Sequence, residues 1–181
     1  YDAALFIGYH SAAGAPGVLS HTFAPFWTDF RLNGATASEA DINALHASEH
    51  GVPVKLLAGD DHICAAGILG VEGVHIVEVK RYISYTSAQS LSPDIARARI
   101  HEAAASAVAD TSIAPAVLPD RLSVELDLRT PAYADVIAMV PTVQRISALT
   151  VRVECSEVAG IFRFATVASA LSSSSTPAPI R

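Results

Sequence analysis

Hydrophobic residues follow two different patterns along this chain, and the patterns divide it into two parts. In the first part, continuous apolar runs at 3–9 and 52–58 predict strands that are buried on both faces. Helices are predicted between and after these strands, at 39–50 and 61–69. Strands that alternate with helices are typical of an α/β fold with a mostly parallel central sheet and flanking helices.

Helix boundaries are marked by residues that satisfy the backbone at helix ends. Ser38 with Asp41 three residues later is a variant of the capping box, and Gly51 is suited to end the helix that follows Ser38. Ser92-Pro93 opens a second, alanine-rich helix that extends to about Asp110, because proline is favoured in the first turn.

Apolar and polar residues alternate in the second part of the chain. The segments 122–128 and 149–155 therefore predict strands with one polar or solvated face. Helices are predicted from Pro131 and over 157–171. The pattern favours a smaller α+β part that follows the mostly parallel sheet.

Three further segments complete the predicted elements and set the boundary of the domain. Residues 23–32 are aromatic-rich and precede Asn33-Gly34, which predicts an edge strand or a short hairpin. Residues 74–80 alternate like a strand. The Ser/Pro-rich stretch 172–181 is predicted to be a disordered tail, which leaves 1–171 as one domain.

Composition narrows the classes of function. The net charge of −6 over 181 residues gives no basic surface for nucleic acid, so none is expected as a partner. No run approaches ~18 apolar residues, so we expect no membrane span. Cys64 and Cys155 form no CxxC pair, and a reduced, cytoplasmic compartment is the simpler interpretation, with one disulfide as the alternative.

The start of the chain favours a fragment. Tyr1 is not an initiator, the single methionine is Met139, and an apolar strand begins almost at once. We therefore expect the chain to be the C-terminal portion of a longer polypeptide, so that part of its site lies outside it.

Three polar residues are the leading candidates for chemistry. His10 and His21 flank a loop of small residues at the end of a predicted buried strand, where ligands and catalytic groups collect in α/β sheets. Histidine there suits metal binding or proton transfer, and two plain loop histidines are the alternative. Glu39 lies in the first turn of a predicted helix, where a favourable dipole interaction explains a glutamate equally well.

Two other groups of polar residues could bind a metal ion, but each also has a structural interpretation. His46, Glu49 and His50 spell H-x-x-E-H, whose histidines lie one turn apart as in some zinc sites. They also fall in the last helical turn, where histidines interact favourably with the helix dipole. Asp60-Asp61 follows a predicted strand and suits a cation, although capping of the next helix is the preferred interpretation.

Short motifs in an ordered series cover nearly all of the chain outside the Ser-rich tail. They are Gly8-Tyr9-His10, Pro16-Gly17-Val18, Ser20-His21, Glu39 with Ile42-Asn43-Ala44, Val52-Pro53-Val54, Ala58-Gly59-Asp60-Asp61, Val79-Lys80 with Ile83-Ser84, Leu91-Ser92-Pro93 and Leu122-Ser123-Val124-Glu125. No single match is decisive, but the series with its spacing resembles the DppA-type zinc D-aminopeptidase family.

The resemblance implies an aminopeptidase with two zinc ions per active site, acting on short peptides with an N-terminal D-residue. It also implies a ring-shaped homo-oligomer with its active sites facing an internal channel. By position, His10 and Glu39 match zinc ligands of the family and His21 matches its catalytic histidine. Residues 1–171 then form a D-aminopeptidase-like domain that lacks its N-terminal part.

The chain also departs from the family pattern. The family's remaining ligands, an Asp-x-Glu motif at the N-terminus and a further histidine, lie upstream of the present residues, and the family's glycine before the glutamate is Ser38 here. Two ligands are too few for a catalytic zinc. We therefore expect the isolated segment to bind zinc poorly and to be inactive, while the parent protein is the enzyme.

Two competing interpretations come from other classes. The chain is alternatively an inactive family member that binds peptides or builds the ring. A third interpretation is a different hydrolase that uses His46, Glu49 and His50.

Overall fold

The computed structural model describes residues 1–174, which form two compact units. The first unit contains residues 1–20 and 38–118. The second unit contains residues 21–37 and the chain from 119 onwards. The chain therefore leaves the first unit after Ser20 and returns to it at Ser38.

Nine strands and five helices are described in residues 1–174. In chain order they are β1 (Ala4–Tyr9), β2 (Trp27–Leu32), β3 (Ala35–Thr36), α1 (Glu39–Glu49), β4 (Val54–Asp60), α2 (Asp61–Ala66), β5 (His75–Ser84), β6 (Ser87–Ser90), α3 (Pro93–Ala109), β7 (Leu122–Leu128), α4 (Pro131–Ile137), β8 (Val143–Arg145), β9 (Thr150–Cys155) and α5 (Val158–Ser174).

The first unit has a four-stranded sheet in the order β1-β4-β5-β6, in which β1, β4 and β5 are parallel and β6 is antiparallel. Every residue of β4 is buried. Leu57 packs with residues of α1 on one face, while Leu56 and Ala58 pack with Ala107 of α3 on the other. The mostly parallel sheet with flanking helices is confirmed, and its core lies on both faces of β4.

The apolar run at residues 3–9 predicted that β1 is buried on both faces, and this prediction is wrong. β1 is the edge strand of this sheet, and only Phe6 among its residues is buried, while Ile7 is 56% exposed. The expectation of a strand buried on both faces is right for β4 and wrong for β1. A continuous apolar run shows that both side-chain rows are hydrophobic, but not how many neighbours the strand has.

The second unit has a five-stranded antiparallel sheet in the order β3-β2-β7-β9-β8. In β7, buried residues alternate with partly exposed ones, as the sequence pattern predicts. Helices α4 and α5 pack on β7 and β9, so the α+β part is confirmed. The predicted hairpin at Asn33-Gly34 is formed by β2 and β3, and it belongs to this sheet although it precedes α1 in the chain.

Three local features differ from, or add to, the predictions. Helix α5 continues to Ser174 with Ser172 buried, and the rest of the predicted tail, 175–181, lies outside the described residues. Cys64 and Cys155 are free thiols, and burial raises both pKa values, that of Cys64 to about 11. Within residues 1–174, no helix has the length and apolar character needed to cross a bilayer.

Candidate metal centre

His10 follows a β-bulge at the end of β1. The register between β1 and β4 shifts between Ile7 and Tyr9, and Gly8 between them has a φ of +82°. That backbone conformation suits glycine, which has no Cβ to clash with the following carbonyl. Bulges of this kind redirect the chain at the ends of strands, and this one sets the direction of the chain at His10.

The imidazole of His10 is oriented by its neighbour. Its Nδ1 lies 3.2 Å from the carbonyl oxygen of Ser11. In the tautomer that donates this hydrogen bond, Nε2 keeps its lone pair. Histidine ligands of metals are commonly held in this way, with one ring nitrogen donating to a carbonyl and the other facing the ion.

Glu39 is the first residue of α1, and a complete capping box precedes it. The Ser38 hydroxyl accepts from the backbone N–H of Asp41 at 3.3 Å, and the Asp41 carboxylate accepts from the N–H of Ser38 at 2.7 Å. The predicted capping box is confirmed. Since Asp41 completes the cap, the carboxylate of Glu39 has no part in it.

His10 and Glu39 meet at a distance compatible with a shared metal ion. Nε2 of His10 lies 3.8 Å from Oε1 of Glu39, and each side chain is about a quarter exposed. Two donors that each bind zinc at about 2.1 Å in tetrahedral geometry lie about 3.4 Å apart. His10 and Glu39 belong to a group of side chains that could hold a metal ion, and the distance between them fits zinc with small side-chain adjustments.

The pKa of Tyr9 responds to the charge of Glu39. Its hydroxyl accepts a hydrogen bond from Nδ2 of Asn43 at 2.9 Å. Burial raises the pKa of Tyr9, the hydrogen bond from Asn43 lowers it, and the negative charge of Glu39 raises it further. The Glu39 carboxylate thus gives this edge of the sheet a negative potential, which favours a cation.

The loop between the two candidate histidines is fixed by Asp60, the last residue of β4. Its Oδ2 accepts from the N–H of Val18 at 2.6 Å, and its Oδ1 accepts from the N–H of Ile63 at 2.9 Å. Asp60 therefore caps α2, as predicted, and also holds the loop. Gly17 fits closely here, because a Cβ at this position would lie 2.6 Å from Oγ of Ser11.

His21 is the first residue of the second unit and is half-buried. The residue after it, Thr22, is buried, and its Oγ1 donates to the carbonyl of Ala37 at 3.2 Å. The segment that begins with His21 is therefore closed by a hydrogen bond at its base.

His46, Glu49 and His50 form a second group, at the carboxyl end of α1. One ligand atom from each lies within 4.8 Å of the other two. His46 is half-buried and the other two residues are exposed.

The comparisons with known proteins decide the family. The model of peptidase family M55, described as D-aminopeptidase, matches residues 1–167. The chain belongs to this family. A D-aminopeptidase of Bacillus subtilis (strain 168) is 34% identical over 128 residues, which cover 69% of this chain and 47% of that protein. The chain thus spans about half the length of the curated relative it matches.

A solved structure agrees with this membership of the D-aminopeptidase family. It is described as the Zn-dependent D-aminopeptidase DppA from Bacillus subtilis, a self-compartmentalizing protease. The two structures have a TM-score of 0.92 at 26% identity, over 98% of this chain and 66% of that chain. The α/β fold predicted from the sequence pattern is confirmed.

Sequence reasoning predicted His10 and Glu39 as metal ligands, and the structure brings the two side chains together. It missed the residues that contact this region. Asn43, which hydrogen-bonds Tyr9, and the contact from Asp60 to Val18 were not anticipated. The position of Asp60 at the end of a buried strand was the available signal, and it indicated only a helix cap.

Proposed function

We propose that this chain supplies part of the active site of a zinc-dependent aminopeptidase that hydrolyses short peptides with an N-terminal D-residue. In this proposal His10 and Glu39 are zinc ligands and His21 is the catalytic histidine. The observation that carries it is the 3.8 Å approach of His10 Nε2 to Glu39 Oε1 in a member of the D-aminopeptidase family.

The proposed chemistry follows from the residue types. Zinc lowers the pKa of a bound water and polarises the scissile carbonyl. His10 and Glu39 would hold this ion, and the carbonyl of Ser11 orients the His10 ring. A neutral imidazole at His21 accepts a proton from the attacking water and returns it to the leaving amine.

Chain connectivity supports the role of His21. Thr22 follows His21 directly, and Ala37 precedes Glu39 by two residues. The hydrogen bond from Thr22 to Ala37 therefore holds the peptide after His21 beside the peptide that leads to Glu39.

The assembly and the number of ions also belong to this proposal. We propose two zinc ions per active site and a ring-shaped homo-oligomer, which the description of the related DppA as self-compartmentalizing supports. A cytoplasmic location stays a prediction from composition. Because one histidine and one carboxylate are too few ligands for a catalytic zinc, we expect residues 1–181 alone to be inactive.

The test compares metal content and hydrolysis of D-Ala-containing dipeptides between the full gene product and residues 1–181 alone. We expect the two zinc ions of the active site, and hydrolysis, in the full gene product only. In that protein, His10→Ala and Glu39→Gln should reduce zinc content, since each removes a ligand. His21→Ala should lower kcat by about 10²–10⁴ with zinc content retained.

His101→Ala is the matched control, because His101 is an exposed histidine on α3. It should change neither zinc content nor rate. A full gene product that is free of zinc and inert would contradict the enzyme and favour the alternative, an inactive member that binds peptides or builds the ring. Hydrolysis by residues 1–181 alone would show that the ligand set is complete without further residues.

A further inference from the structure

The group at the carboxyl end of α1 is separate from the candidate metal centre. His46, Glu49 and His50 lie at the end of the helix that Glu39 begins. Glu49 lies ten positions after Glu39, which corresponds to about 15 Å along a helix. A single ion therefore cannot be shared between the two groups.

We propose that His46, Glu49 and His50 bind one divalent first-row transition ion such as Zn²⁺. This site does not depend on the proposed function, and the ion it holds is structural. It clamps the last turn of α1 rather than taking part in hydrolysis.

The helix brings the three donor groups to one surface. His46 and His50 are four residues apart, so they lie on the same face one turn apart. Their rings meet edge to face, with centroids 5.0 Å apart and an interplanar angle of 83°. Nδ1 of His46 lies 3.6 Å from Oε2 of Glu49, close to the roughly 3.4 Å between two donors of one tetrahedral zinc ion.

Only a small movement of side chains is needed to bring the three donor atoms around one ion. All three donor atoms already lie within 4.8 Å of one another. His50 is exposed and is the C-cap residue of α1, so rotation of its side chain does not disturb the core. A tridentate site with water in the remaining position can form without movement of the backbone.

Electrostatics favours a cation at this end of the helix. α1 contains no lysine or arginine, and Glu49 contributes a negative charge. The aligned peptide dipoles of α1 give the helix C-terminus a partial negative charge. Two imidazoles with one carboxylate suit zinc, cobalt or nickel, whereas calcium and magnesium prefer oxygen ligands alone.

Zinc titration by calorimetry tests the proposal, in the full gene product with His10→Ala and Glu39→Gln to weaken the candidate metal centre. We expect one equivalent of Zn²⁺ to bind at His46, Glu49 and His50. Adding His50→Ala should weaken its affinity at least tenfold or abolish it, since a ligand is lost. Adding His101→Ala instead, an exposed histidine outside the group, should leave the affinity unchanged.

A second measurement keeps the proposal testable if the double variant does not fold. In the otherwise unaltered protein, His50→Ala and Glu49→Gln should each remove one equivalent of Zn²⁺ while hydrolysis is retained. Imidazole NMR signals of His46 and His50 should shift together on saturation. Saturable binding that is unchanged by His50→Ala, or no shift of these signals, would overturn the proposal, while failure of hydrolysis bears only on the proposed function.

Discussion

Asp60 connects two backbone segments next to the candidate metal centre with a single buried carboxylate. It is 1% exposed, and its two oxygens accept from the N–H groups of Val18 and Ile63. One contact satisfies a donor in the first turn of α2, and the other fixes the loop that precedes His21. The loop conformation therefore depends on a residue about forty positions away in the chain.

Asp60→Asn should destabilise the protein by about 1–3 kcal/mol, because an amide offers only one acceptor oxygen and leaves one of the two N–H groups without its acceptor. Urea unfolding measures this loss. Hydrogen exchange at the Val18 amide should accelerate if the loop contact is the one lost.

Asp94→Asn is the matched control, since the Asp94 carboxylate is 90% exposed. It should change stability by less than about 0.5 kcal/mol. Unchanged stability in Asp60→Asn would contradict a structural role for the buried carboxylate.

Local sequence signals predict contacts within a few residues. Ser38 and Asp41 form the capping box that their spacing indicates, and Asp60 caps α2 as its position suggests. The hydrogen bond from Val18 to Asp60 spans 42 positions, and no local pattern encodes it. The positions of His10 and Glu39 made them candidates, but their predicted role as zinc ligands came from the family resemblance, because each alone has an ordinary structural explanation.

At the scale of secondary-structure elements, the antiparallel sheet has an apolar face and a charged face. Buried Val124, Leu126 and Leu128 alternate in β7 with the charged residues of a cross-strand network. In that network Arg31 of β2 contacts Asp29, Glu125 and Asp127, and Arg152 of β9 contacts Glu125. Alternation in 122–128 predicted this division of the faces, since side chains of a strand point to opposite sides.

Arg31→Met should raise the pKa of Asp127 towards its ordinary value of 3.8, because the hydrogen bond from Arg31 is the main cause of its lowering. Glu125 should keep a lowered pKa, since Arg152 is the main cause there. Carbon-13 NMR titration of the two carboxyl groups distinguishes them. An unchanged pKa of Asp127 would contradict this account of the network.

The same substitution gives a pH dependence of stability. A carboxyl group with a lowered pKa in the folded state stabilises the protein above its unfolded pKa, and this stabilisation is lost as the pH falls through the folded value. Arg31→Met should therefore lower the free energy of unfolding by about 1–2 kcal/mol at pH 7. The loss is modest because the network is partly exposed to solvent. The difference from the unaltered protein should shrink below pH 3.8, whereas Arg97→Met, at an exposed ion pair, should change little at either pH.

The burial of a strand was predicted well where it follows from the strand's own residues. It was predicted less well where it depends on the number of neighbouring strands. β4 matches its continuous apolar pattern because both of its faces are covered. β7 matches its alternating pattern because only one of its faces is covered. β1 does not, since its edge position is set by strand order, which the sequence pattern does not contain. The short strands β6 and β8 were missed, because three or four residues are too few to establish a period.

At the scale of the whole molecule, residues 21–37 form an insertion that belongs to the second unit. The division predicted from the hydrophobic pattern placed the α+β part after the parallel sheet. Pairing of β2 with β7 joins residues 92 to 101 positions apart, and nothing in the local pattern of β2 specifies that partner. At the base of the insertion, Thr22 donates a hydrogen bond to the carbonyl of Ala37.

Thr22→Val tests the role of this hydrogen bond, because it keeps the shape of the side chain and removes the hydroxyl that donates to the Ala37 carbonyl. Both residues are fully buried, so we expect a loss of about 1–3 kcal/mol in urea unfolding. Thr22→Ser keeps the hydroxyl and should retain the hydrogen bond. If the insertion base also positions His21, Thr22→Val in the full gene product should lower kcat with zinc content unchanged, and Thr22→Ser should restore it. Equal kcat values in the two variants would mean that the hydrogen bond supports the fold alone.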